Sequence, residues 1–226
     1  MAKIVIFGTG QLADLAQFYL THDSPHDAVA FTVDRDYIDG PKHRDLPVVP
    51  FEDVVRIYPP ADFKMFIPMS FKKMSHVRAD RYRQAKEMGY ELISYVSSKA
   101  TVWPGFKPGD NCFIFEDNTI QPFVTIGNDC VLWSGNHIGH HTVIKDHVFI
   151  TSHVVISGAC TIEDHTFFGV NCTVRDETVI ARETLVGAGT IILKDTQPFE
   201  VYKAKGTEPA GFRSDEIRSL SHKTKG

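Results

Sequence analysis

Histidine titrates nearer neutrality than any other side chain, and this chain of 226 residues carries eleven. An imidazole with an unperturbed pKa near 6.5 can take a proton at physiological pH and act as a general base. Six of the eleven, His137, His140, His141, His147, His153 and His165, are concentrated in one stretch. Four cysteines, Cys112, Cys130, Cys160 and Cys172, form no CxxC pair, which argues against a zinc finger. Nearer the start, Gly8-Thr9-Gly10-Gln11-Leu12-Ala13 follows an apolar run. It loosely matches the glycine-rich turn through which a helix N-terminus meets phosphate; the alternative is a tight turn with no ligand. Asp34 ends the second predicted strand, where such folds often contact a ribose; the alternative is a solvated loop carboxylate.

The histidines sit in a repeat. Steps of six from Val96 to Ile192 land on Val, Ile or Leu at 15 of 17 positions, and the register never slips. Four residues after each step comes, in nearly every unit, a small or β-branched residue, and all four cysteines fall there. A period of six matches neither a helix nor a plain strand; it suits a short strand plus a corner. Three units make a triangular coil, and coils stack at about 4.8 Å. The cysteines are then core fillers. Gly127, Gly139, Gly169 and Gly187 directly follow the aliphatic step and are expected at corners where a Cβ would be strained.

The first ninety residues read differently. Strands are predicted at 3–7, 28–33, within PVVPFEDVVRIY and at 63–67, with a helix after the glycine-rich turn and another over 73–88, capped by Gly89. Leu12, Leu15, Ala16 and Tyr19 share one face of the first helix. This alternation implies a small parallel, Rossmann-like α/β sheet. It is too short for both halves of a dinucleotide fold, so a mononucleotide fits better.

The register sorts the histidines. His147 and His165 are 18 apart and stack on one edge with Asp129 and Glu183, expected as a solvated corner of alternating charge. His141, His147 and His153 point from three different corners, so one subunit cannot gather them around one metal. His140 takes the third place of its unit, with Gly158 one coil further on the same edge.

The pattern over residues 93–195 resembles the hexapeptide-repeat, left-handed β-helix transferases. With the α/β segment before it, the chain resembles the bacterial acyltransferases of nucleotide-linked amino sugars, the bacillosamine and perosamine N-acetyltransferases; sialic acid O-acetyltransferases share the layout. The resemblance implies a nucleotide-sugar-binding domain (1–92), an acyltransferase β-helix (93–195) and a C-terminal tail (196–226). It implies that Gly8, Gly10, Asp34 and Arg35 hold the nucleotide. Asn136-His137-Ile138-Gly139-His140-His141 resembles the segment containing the catalytic base, which aligns with His140, and the Gly158 N–H matches the donor facing the acetyl-CoA carbonyl. His141 stands where relatives often carry Glu or Asp; it could share the work of His140. Inward-facing Asn136 is a poor orienting group. Acetyl-CoA would lie between prisms of a homotrimer, with Gly187, Ala188, Gly189, Lys203 and Lys205 as candidate contacts and Trp133 lining the sugar pocket or subunit interface. No metal is implied.

A net charge of −4, from 28 acidic and 24 basic residues, argues against a nucleic-acid surface. No apolar run reaches the ~18 residues of a membrane helix, and the opening residues do not read as a signal peptide, so a cytoplasmic protein is expected. SDEIRSL is expected as a brief capping helix and SHKTKG as disordered. Sugar O-acetylation is the alternative reaction; a non-catalytic scaffold and a zinc hydratase are the other classes, the latter requiring bound zinc.

Overall fold

The structure, a computed structural model, describes residues 1–216. Its first part is a five-stranded sheet ordered β3-β4-β2-β1-β5, made of β1 (Lys3–Phe7), β2 (Asp27–Val33), β3 (Lys42–His43), β4 (Leu46–Pro50) and β5 (Lys64–Phe66). Three helices accompany it: α1 (Gln11–His22), α2 (Val54–Ile57) and α3 (His76–Glu87). The inner strand β1, paired on both sides by β2 and β5, buries Ile4, Val5 and Ile6 completely, as a strand covered on both faces must. The sheet is mixed rather than wholly parallel, because β3 pairs antiparallel with β4. The cause is local: Arg44 and Asp45 both take positive φ, which makes the two-residue turn of a hairpin. Helix α3 starts later than the apolar pattern suggests, since Lys73, Met74 and Ser75 form a left-handed turn ahead of it. Gly89, at φ +90°, ends it as expected.

From Tyr95 onward the chain winds a three-sided parallel β-helix. Its faces hold seven, five and four strands. The first face runs from Tyr95–Val96 through Val131–Leu132 to Val201–Tyr202, the second from Thr119–Ile120 to Ile191–Ile192, and the third from Thr125–Ile126 to Val179–Ile180. Val131 pairs with both Phe113 and Phe149, so each lap is 18 residues. The aliphatic steps and all four cysteines fill the interior. Burial pushes the thiols of Cys130, Cys160 and Cys172 up, which keeps them unreactive. Inward threonines satisfy corner carbonyls: the Thr142 hydroxyl donates to the Ser157 carbonyl at 3.1 Å and that of Thr190 to Gly187 at 2.6 Å.

The corner glycines serve a purpose other than the expected one. Gly127, Gly139, Gly169 and Gly187 do not have positive φ; the left-handed residue falls two places later, at Asp129, His141, His147, His153, His165, Asn171 and Glu183 among others. Asp, Asn and His tolerate that conformation better than most residues. The glycines instead let laps stack: a Cβ on Gly139 would lie 2.5 Å from the Gly158 nitrogen, and one on Gly169 would lie 2.5 Å from that of Ala188.

The α/β layer sits on the first face. Outward Phe113, Val131 and Phe149, with Phe115 beside them, share a buried cluster with Ile4, Ala13, Leu20 and Phe66. Each fully buried phenylalanine contributes about 1.5–3 kcal/mol. The Tyr19 hydroxyl crosses the junction to donate to Glu116 at 2.8 Å.

The edge expected to be solvated is also covered. Helix α3 lies along the corner between the third and first faces and buries Arg78 against Asp129, with Nε 3.0 Å from the carboxylate and neither side chain exposed. The same guanidinium donates to the carbonyls of Asp129 and His147. His147 reaches Asp129 at 2.8 Å and stacks on His165 at 4.7 Å, which stacks on His76 at 4.0 Å; His76 in turn meets Glu183 at 3.2 Å. The repeat alone could not reveal this helix, whose docking residue lies 51 positions away from its partner.

Burial, with the neighbouring His147 and His76, holds His165 below the usual histidine value of 6.5; burial does the same to His26. The folded state therefore binds fewer protons than the unfolded chain once pH falls below about 6.5. Stability should decline from that pH toward the lower folded values. Urea titrations between pH 7 and 5 check this: the loss should be shallower in His165→Gln, and an equal slope would refute the assignment.

Among the described residues, no helix is long and apolar enough to cross a membrane. Within SDEIRSL, Ser214–Glu216 form a single 3₁₀ turn; the rest of that segment and SHKTKG lie outside the described residues.

Candidate active site

His140 stands on the corner between the second and third faces, directly after Ile138-Gly139. Its backbone N–H donates to Gln121 Oε1 at 2.8 Å, which pins the corner to the lap below. Its imidazole lies against Gly158 on the lap above: a Cβ there would come within 2.6 Å of Cε1 and 2.8 Å of Nε2. Gly158 is thus required for space, since any larger residue would displace the ring. His140 Nδ1 lies 3.1 Å from His141 Nδ1, and both rings are exposed.

The Gly158 N–H has no hydrogen-bond partner among the described residues. Equivalent amides on the next edge are satisfied: those of Asp110, Asn128 and Asp146 donate to carboxylate or amide oxygens of the following lap at 2.7–2.9 Å. Gly139 lies just under the Gly158 nitrogen and keeps it uncovered. An imidazole able to accept a proton and a free amide able to receive a developing oxyanion therefore border one point. Asn136 is occupied inside the prism, its Oδ1 accepting from the Val154 N–H at 2.8 Å.

The glycine-rich turn leads from β1 into α1. Gly8, at φ +106°, is conformationally required, whereas Gly10 is extended with open space around its Cα. Together with Ser70 they line a pocket of about 350 Å³ at the helix N-terminus, where free backbone amides favour anions. Asp34 and Arg35 flank this region but already have protein partners. Arg81 reaches Asp34 at 2.6 Å, and Asp53 holds the Arg35 guanidinium at 2.9 Å.

A larger cleft of about 920 Å³ lies between α1 and the first face, and sequence reasoning missed it. Leu12, Leu15, Phe18, Phe71, Trp133 and Phe149 supply its apolar walls. Trp133 is fixed by stacking on Phe115 at 4.7 Å. The signal was legible: at the place before the aliphatic step, phenylalanine falls only on one of the three faces (Phe113, Phe149, Phe167), which marks the covered face.

Gly187, Ala188 and Gly189 share Trp133's edge, between the first and second faces. The final strand brings Lys203 beside them, its Cα 3.6 Å from where a Gly187 Cβ would be; Lys205 follows, exposed. Within one chain these residues and His140 occupy different edges of the prism. The three histidines expected on separate corners are there, and among the described residues no group of three or more potential ligands is placed to hold a metal.

Comparison with known proteins places this arrangement in a class of folds. The family model of the GMPPB C-terminal domain matches residues 92–196. No curated protein sequence matches the chain. Among solved structures, the acetyltransferase domain of PglB from Neisseria gonorrhoeae, in complex with acetyl coenzyme A, superposes with a TM-score of 0.76 at 16% identity, covering 88% of this chain and 94% of that one. PerB from Caulobacter crescentus, in complex with CoA and GDP-perosamine, gives 0.75 at 20% identity, covering 86% and 90%. WeeI from Acinetobacter baumannii gives 0.69 at 18%, covering 89% and 96%. The chain thus shares their fold, an α/β segment followed by a β-helix, nearly end to end.

Proposed function

We propose that this protein transfers an acetyl group from acetyl-CoA to the amine of a nucleotide-linked amino sugar. The observation that carries the reading is the His140 imidazole packed over Gly158, whose N–H has no partner among the described residues. His140 Nε2 takes the proton from the sugar amine as its nitrogen attacks the thioester carbonyl. The tetrahedral oxyanion accepts a hydrogen bond from the Gly158 N–H. The C–N bond is made, the C–S bond breaks, and the CoA thiolate leaves with the proton returned by His140.

The nucleotide phosphates fit the N-terminus of α1 beside Gly8 and Gly10, with Asp34 and Arg35 at the rim. The acceptor sugar fits the larger cleft under Trp133. Since that cleft and His140 lie on different edges, a second copy has to bring its edge alongside, and a homotrimer with sites between prisms satisfies this. Gly187, Ala188, Gly189, Lys203 and Lys205 then border the cofactor groove. Such a reaction belongs in the cytoplasm, where acetyl-CoA and nucleotide sugars are made. In support, the PglB and PerB structures of the same fold hold acetyl-CoA, or CoA with GDP-perosamine.

The test is a panel of UDP-, dTDP- and GDP-linked amino sugars mixed with acetyl-CoA, with free thiol followed over time. At least one should give turnover that depends on the free amine, with an amide product stable to hydroxylamine. A hydroxylamine-labile product would move the assignment to O-acetylation, and thiol release with none of the panel would overturn it.

A further inference from the structure

His140 depends on a neighbour of unusual kind. His141 Nδ1 lies 3.1 Å from His140 Nδ1, and His141 is the only side-chain partner of that imidazole among the described residues. Two Nδ1 atoms at this distance need one proton between them, because two lone pairs repel and two N–H groups collide. That proton has two possible owners. If it belongs to His141, then neutral His140 carries its own proton on Nε2 and cannot be a base there. If it belongs to His140, then Nε2 is bare, on the ring edge that packs over Gly158.

His141 is itself held. It occupies the left-handed corner place at φ +60°, and its ring packs on Phe123 at 4.7 Å. Phe123 occupies the same corner place one lap below, at φ +67°, and is 75% exposed. A large aromatic ring so exposed, with one face on His141, acts as a platform that limits how far that ring can turn. Gln121, two residues before Phe123, fixes the His140 backbone at the same time.

We propose that His141 is a positioning residue that accepts the His140 Nδ1–H, thereby holding His140 in the tautomer with a free Nε2, and that Phe123 is the platform that keeps it there. The proposal rests on the reading of His140 as general base. When His140 takes the substrate proton at Nε2, its Nδ1–H remains bonded to His141, now as a charge-assisted hydrogen bond. An acidic side chain would achieve the same with a formal charge; His141 does so as a neutral acceptor.

Neutron diffraction from deuterium-exchanged crystals at neutral pH reads the tautomer directly. The deuteron should lie on His140 Nδ1, with Nε2 bare. A deuteron on Nε2 of neutral His140, or imidazoles that do not face each other, would overturn the proposal without any need for substrate. Two variants separate positioning from simple packing. His141→Phe keeps a ring on Phe123 and fits the corner, as Phe123 itself demonstrates, but accepts nothing. It should place the deuteron on His140 Nε2 and lower kcat on the order of 10–100-fold, with KM for acetyl-CoA little changed. His141→Asn offers an amide oxygen in place of the ring nitrogen and should recover most of that loss. Turnover is read with the amino-sugar panel above, and His140→Gln tells the two readings apart. An active His140→Gln would refute the base assignment itself; an inactive His140→Gln beside a fully active His141→Phe would refute only the role of His141.

Discussion

Replacing His140 with alanine should reduce acetyl transfer by about 10²–10⁴-fold, the range that one positioned acid–base group supplies. The loss should fall on kcat, since the imidazole acts on a proton in flight and not on the bound cofactor. The fold should survive, because the ring is exposed and the corner is held by the backbone bond to Gln121. Gly158→Ala should give a comparable loss by a different route. Its added methyl would sit 2.6 Å from Cε1, so the imidazole must swing off the amide, and only the far end of a side chain has to move. Single-turnover assays with matched circular dichroism spectra check both. A His140→Ala enzyme within tenfold of wild type would remove His140 from the chemistry.

Arg78→Met should lower unfolding free energy by about 3–5 kcal/mol, the usual cost of removing one partner from a buried ion pair. Asp129 would be left fully buried with its negative charge, its remaining contacts being His147 and the Asn111 amide. The same substitution removes donors to the carbonyls of Asp129 and His147, so α3 loses its main polar grip on the prism edge. Urea unfolding measures the difference. The double variant Arg78→Met with Asp129→Asn should regain a substantial part of it, because no uncompensated charge remains and asparagine keeps both the left-handed corner at φ +55° and an acceptor for the Asn111 amide. A change below about 1 kcal/mol in the single variant would mean that α3 is held by apolar contacts alone.

Much of the architecture is legible in the order of residues alone, for a physical reason. A side chain inside a prism meets its neighbours at fixed short range, so every lap writes the same demand into the sequence, and Ile138 or Cys160 reveals its place by arithmetic. The pairing of His140 with Gly158 follows from the same register. Contacts between the repeat and the α/β layer lack that periodicity. Nothing in the spacing of Arg78 points to Asp129, and nothing in the spacing of Asp34 points to its ion pair with Arg81. The corner glycines mislead for a related reason. Composition shows where glycine is needed, but backbone strain and steric approach leave the same letter in the sequence, and only φ angles with the distances between laps tell them apart.

The 18-residue lap also makes the prism a graduated ruler. Gaining or losing a whole lap between Tyr95 and Ile138 slides His140 along the axis by one rung while preserving its compass bearing. A change of six residues turns everything downstream by a third of a revolution and sends His140 to another side. Reach toward a longer or shorter acceptor can therefore be tuned in single-rung increments, with the aim of the imidazole left intact.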